Sequence, residues 1–154
     1  MAKSRSIQEL RDSVGSEMGC SDWVHIDQAL INSFADATMD HQYIHVNPER
    51  AAAGPFGTTI AHGLLTLSLL PLMMESISYS PEGATMFVNY GFDRVRFINP
   101  VKVGSDVRGR AVLSEVSERN KGQWMLKMEI TVEIRDVEKP ALVAEWLTMS
   151  LVDS

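Results

Sequence analysis

A chain of 154 residues with 45% hydrophobic content has the size of one domain and enough apolar material to bury a core. Fourteen basic against twenty acidic side chains leave a formal charge of -6, and no Lys/Arg run is present to neutralise a row of phosphates, which argues against a nucleic-acid partner. The single cysteine, Cys20, cannot form an internal disulfide, no apolar signal core follows the first residues, and the most apolar stretch, Leu64 to Met74, is too short to span a bilayer, so a reducing cytoplasm is the expected setting.

Residues 6–14 begin as a short helix, with Ser6 three residues ahead of Glu9 in capping-box spacing. An extended piece follows around Trp23-Val24-His25-Ile26. Asp27 then caps a helix whose apolar positions Leu30, Ile31, Phe34 and Ala35 recur at helical spacing and which should end near Thr38. Met39 to Pro48 shows no clear period, Glu49 to Ala53 suits one helical turn, and Gly54-Pro55-Phe56-Gly57 is a loop. A helix apolar nearly all round should start near His62-Gly63 and run to about Ser78, with a kink at Pro71, and such a helix must be buried on most sides.

Beyond it the apolar period changes from 3.6 to 2. From Gln123 to Arg135, Trp124, Leu126, Met128, Ile130, Val132 and Ile134 alternate with polar residues, as in a long strand with one wet face. Further strands fit Thr85–Tyr90, Phe92–Phe97, Val107–Glu118 and Ala141–Val152, with turn chemistry at Asn99-Pro100, Asn120-Lys121-Gly122 and Glu138-Lys139-Pro140. Short connections favour an antiparallel sheet, and the economical way to bury the helix is to curl that sheet around it. The expected architecture is therefore α+β, one domain over residues 1–154. It leaves a sheet edge uncovered, which predicts pairing with a second copy of the chain in a homodimer.

Asp40 and His45 stand five apart in the irregular segment, just after one helix and shortly before the Gly-rich loop. Together a carboxylate and an imidazole can hold one water and move its proton, which is what addition of water to a double bond needs. The spacing alone favours the plainer reading, an Asp that caps or turns the chain and a His that packs at the surface. His41 and His45, four apart, have zinc-ligand spacing if helical, but Gln42 stands where a glutamate would strengthen that reading. Gly63, at the first turn of the buried helix, lets a substrate carbonyl approach free backbone N–H groups, or simply lets helix and sheet pack closely. His62 fits a capping or packing role.

Asp40-x4-His45 followed by Ile60-Ala61-His62-Gly63 resembles the MaoC-like, (R)-specific enoyl-CoA hydratases. Asp40, Ile44, His45, Ala51, Ala52, Ile60, Ala61, His62 and Gly63 match the family pattern in order, and Val95-Arg96-Phe97 with Pro100-Val101 and Gly104 resembles a later stretch of it. The resemblance covers about residues 21–152 and is closest in flavour to the nodulation-N branch. It departs at Met39, where Gly is usual, and at His41-Gln42-Tyr43, which replaces the family's x-Asn-Pro.

The resemblance implies a hot-dog fold, a homodimer, and hydration of a trans-2-enoyl thioester, or the reverse dehydration of an (R)-3-hydroxyacyl thioester. Asp40 and His45 would act on the water, Gly63 would form the oxyanion hole, and Gln42 is the candidate amide in place of the family's Asn. Arg94 and Arg96, on one face of a strand, are candidates for the phosphates of coenzyme A. The thioester is carried on coenzyme A or acyl carrier protein, and no metal or other cofactor is required. A hot-dog thioesterase, whose acid would sit on the central helix where Glu75 is the carboxylate, and a non-catalytic acyl-thioester binder are the competing readings.

Overall fold

The computed structural model, which describes residues 3–152, starts with a short strand, β1 (Lys3–Arg5), and a helix, α1 (Ile7–Asp12). The Ser6–Glu9 capping box initiates α1: the Glu9 N–H donates to Ser6 Oγ (3.2 Å) and the Ser6 N–H donates to the Glu9 carboxylate (2.8 Å). Two short strands, β2 (Glu17–Cys20) and β3 (Val24–His25), lead into α2 (Gln28–Thr38). Asp27 caps α2 by accepting from the Leu30 N–H (2.8 Å), and the helix stops at Thr38 because Met39 turns left-handed, with φ 61°.

The segment expected to be irregular contains a one-turn helix, α3 (Tyr43–Val46), followed by α4 (Pro48–Ala52). Pro48 opens α4 with its ring already at helical φ, and Asn47 caps it by accepting from the Arg50 N–H (3.0 Å).

The buried helix is not the single long element that the apolar run predicts. It is two short helices, α5 (Gly63–Ser68) and α6 (Leu70–Met74), with the break at Leu69 and a last turn closed by the Ser78 N–H on the Met74 carbonyl (2.8 Å). Pro71 sits in the first turn of α6, where its missing N–H costs least, so the chain restarts a helix there instead of bending one through it.

A strand β4 (Tyr79–Pro81) pairs in parallel with β1. Four long strands follow: β5 (Ala84–Phe97), β6 (Asp106–Asn120), β7 (Gln123–Ile134) and β8 (Leu142–Val152). Their antiparallel sheet runs β2-β6-β7-β8-β5, with β3 also on β6. The two strands predicted at 85–90 and 92–97 are one strand, which stays paired with β8 through register shifts at Asn89/Gly91 and Phe92/Arg94.

One face of the sheet closes over α5 and α6, the hot-dog arrangement. Leu65, Leu70, Met73 and Met74 meet Val107, Leu113, Leu126, Met128, Ile130, Val132 and Trp146 in a single core. Closeness explains Gly109: a Cβ there would lie 2.6 Å from Met74 Cε. The edge strand β5 is different, since Met86, Phe87, Val88, Tyr90 and Phe92 all stand substantially exposed. Among the described residues no helix is long and apolar enough to cross a membrane.

Candidate active site

Three local devices bring the sequence-predicted dyad together. The left-handed Met39 turns the chain out of α2 and puts Asp40 at the start of a tight segment, where its carboxylate lies 3.4 Å from the Gln42 N–H. The single turn of α3 then carries His45 inward, so that it is buried while Asp40 stays exposed. Finally, the strand-like residue Ile60 runs alongside: its N–H donates to the Ile44 carbonyl (2.9 Å) and its carbonyl accepts from His45 Nδ1 (2.7 Å).

That last contact settles the tautomer of His45. A carbonyl can only accept, so Nδ1 carries the proton and Nε2 keeps its lone pair. Burial, the largest influence, pushes the His45 pKa below its ordinary value; the neighbouring His62 acts in the same direction, while the Ile60 carbonyl and Asp40 oppose it. The imidazole is thereby kept neutral and able to accept a proton near neutral pH.

Two residues that sequence reasoning left outside the site belong to its frame. Gln28, the first residue of α2, donates from Nε2 to the His45 carbonyl (2.7 Å) and accepts from Thr59 Oγ1 (2.6 Å), tying α2, α3 and the chain before α5 into one unit. Gln28 also donates to Asn32 one turn along α2 (2.9 Å), but no local pattern points to its contacts with residues 45 and 59. His62 is not a side-chain cap for α5. Its ring stacks on His45 with centroids 3.8 Å apart, and its Nε2 lies 3.0 Å from the Asp40 carbonyl.

His45 opens onto a cavity of about 350 Å³ beside the start of α5, lined by Gly63, Thr66 and Asn99 together with apolar side chains such as Phe56, Leu64 and Phe97. Gly63 occupies the first helical position, where its N–H and that of Leu64 have no acceptor within the helix. Phe97 lies across it so closely that a Cβ on residue 63 would come within 2.8 Å of the ring. With only six residues, α5 offers these N–H groups more than a large dipole. The Thr66 hydroxyl, one turn further in, is buried without a hydrogen-bond partner.

The remaining candidates lie elsewhere. Gln42 is exposed and makes no side-chain cap contact. Arg94 and Arg96 share one face of β5, as the alternation predicts, but Val95 and Phe97 occupy the face turned to α5, so the arginines are on the other side of the sheet. Arg94 stands across from Glu145, and Arg96 bonds the carbonyl of its own neighbour Val95 (2.8 Å). His41 points to Asp36 (2.8 Å), away from any joint metal site with His45.

A nitrogen of His45, a nitrogen of His62 and a carboxylate oxygen of Asp40 do lie within 4.8 Å of one another. Zinc, with bonds of roughly 2.0–2.1 Å, needs its ligands about 3.4 Å apart. Two groups hydrogen-bonded to one water at about 2.8 Å stand roughly 4.6 Å apart. The three groups are near enough to share one small occupant such as a water, and each histidine has one nitrogen engaged by a backbone carbonyl, which fixes the orientation of its ring.

Residues 9–137 match the family described as MaoC like domain. The chain is 52% identical over 149 residues to nodulation protein N of Rhizobium leguminosarum bv. viciae, covering 96% of this chain and 92% of that one. It is 49% identical over 145 residues to 3-hydroxyacyl-thioester dehydratase Z of Mycobacterium tuberculosis, covering 94% and 95%. Among solved structures, a monoamine oxidase regulatory protein from Archaeoglobus fulgius superposes with a TM-score of 0.81 over 100% of this chain and 99% of that one at 21% identity, a likeness of fold.

Proposed function

This chain belongs to the MaoC-like dehydratase family, and we propose from that premise that it interconverts a trans-2-enoyl thioester and the (R)-3-hydroxyacyl thioester, with Asp40 and His45 acting on the water. The observation that carries the reading is the tautomer of His45, whose Nδ1 is engaged by the Ile60 carbonyl and whose Nε2 lone pair is left for a proton, in a ring that lines the cavity and lies close to the Asp40 carboxylate. In the hydration direction the water oxygen bonds to C3 while its proton passes to His45 Nε2. The Asp40 carboxylate accepts the water's other hydrogen and sets its direction of attack. Electron density moves through C2 onto the thioester oxygen, where the Gly63 and Leu64 N–H groups stabilise it. The enolate then collapses, and C2 takes the proton back from the His45 imidazolium, so that H and OH have been added across one double bond.

The (R) outcome rests on the family resemblance. The carrier is coenzyme A or acyl carrier protein, the working unit is a homodimer made through β5, and a reducing cytoplasm suits the lone thiol of Cys20. No step requires a metal, and Arg94 and Arg96 have no part in the chemistry itself. Hydrolysis of the thioester is less well supported, because Glu75 lines a different cavity, with Met74, Phe87 and Trp146, rather than the one that holds His45.

The test is loss of the conjugated enoyl absorbance with purified protein. Asp40→Asn and His45→Gln should each slow hydration by about 10²–10⁴-fold while leaving acyl-thioester binding in place. The double variant should lose far less than the product of the two. Wild-type turnover by either folded variant would remove the dyad from the mechanism.

A further inference from the structure

We propose that His62 is a positioning residue for the dyad, holding the Asp40 backbone through Nε2–H and seating the His45 ring by stacking. The inference rests on the Asp40/His45 reading above, and its experiment is chosen to separate the two.

His62 is 3% exposed and packs against two rings, Phe34 of α2 (centroids 4.9 Å apart, tilted) and His45 of α3 (3.8 Å, stacked). Its side chain hydrogen-bonds a third segment, with Nε2 3.0 Å from the Asp40 carbonyl. Because that oxygen can only accept, Nε2 carries the proton. Nδ1 is therefore left as a bare lone pair, and it is buried without a partner. No protein donor faces it, and burying such an acceptor costs more than burying a phenyl or aliphatic side chain in the same slot. Packing alone gives no reason to keep an imidazole there.

What the imidazole adds is a link between the two dyad residues. Asp40 is exposed, and its carboxylate has a long contact to the Gln42 N–H (3.4 Å); the neighbouring His41 ties to Asp36 at the surface, whereas the His62 bond holds the Asp40 backbone itself from the buried side. His45 is held along its ring plane by the Ile60 carbonyl, and the stacked His62 ring blocks the motion out of that plane. One side chain thus sets the separation of carboxylate and base. A misplacement of about 1 Å can cost on the order of 10² in rate even when the reacting groups are intact.

Two substitutions separate the contacts from mere filling of space. His62→Phe keeps a stacking ring and removes both the donor and the unsatisfied nitrogen, whereas His62→Gln restores an N–H donor. We expect His62→Phe to melt at or above the wild-type temperature, keep its KM, and lose about 10–100-fold in kcat; His62→Gln should recover a substantial part of that loss. Equal kcat for His62→Phe and wild type would overturn the proposal, as would a fall in kcat that tracks a fall in melting temperature. A readout independent of any variant is the 15N spectrum of wild-type histidines. His62 should show a protonated Nε2 and a bare Nδ1, and the opposite tautomer would sink the idea even if a variant failed to fold. Asp40→Asn run alongside distinguishes the two readings: if it is fully active the hydration site itself is wrong, and if it is inactive while His62→Phe is unimpaired only the positioning role falls.

Discussion

At the scale of single residues, the burial of His45 has consequences of fixed sign. Its pKa is held below the ordinary 6.5, chiefly by burial, so the folded protein takes up its proton only at a lower pH than the unfolded chain does. The unfolded state therefore binds more protons as pH falls through 6.5, and the folded state loses stability across the window from 6.5 down to the depressed value. Urea midpoints measured across that range should decline on acidification, and His45→Gln should flatten the decline. The same depression predicts that the acidic limb of kcat/KM has its midpoint below 6.5, which a pH–rate profile reads directly. The proximity of the proposed pair was legible in the sequence because Asp40 and His45 lie within one short segment. Gln28 and His62 were not, since their contacts with the segment cross 17 and 22 positions of chain and depend on how α2 and α5 pack.

At the scale of elements, two glycines do different work on facing surfaces, and substituting each should report a different property. Gly109→Ala drives a methyl group towards Met74 Cε (2.6 Å) and Met73 Cβ (3.2 Å) inside the core, so it should destabilise by about 1–3 kcal/mol with little change in kcat. Gly63→Ala meets first the Phe97 ring, which is 52% exposed and can yield towards solvent, but it crowds the N–H groups proposed to face the substrate oxygen. It should lose about 10²-fold in activity with an almost unchanged melting temperature. The strands were readable because a half-buried strand writes its period into Trp124 to Ile134. The broken central helix was not: an all-apolar stretch has no polar face to mark where it ends, and Pro71 is compatible with a kink or a restart. The one-turn α3 was missed for a related reason, being too short to show a helical period, although it is what turns His45 inward.

At the scale of the whole molecule, the unfinished surface is β5, which is paired on one side by β8 and open on the other. Phe87 is 58% and Tyr90 57% exposed, an apolar edge that a lone soluble domain would not be expected to leave bare. Light scattering at micromolar concentration should give twice the 17.1 kDa chain mass, and Phe87→Lys combined with Tyr90→Lys should give the single mass with the melting transition of a folded protein. A wild-type monomer would leave that edge unexplained. Phe97 and Ile98 close the same strand's far end, where both stand half exposed and both line the cavity beside His45. A dimer made through β5 would therefore join association and occupancy by mass action: whatever fills the cavity would tighten the pair, dilution would cost affinity as well as mass, and specific activity would become a function of protein concentration.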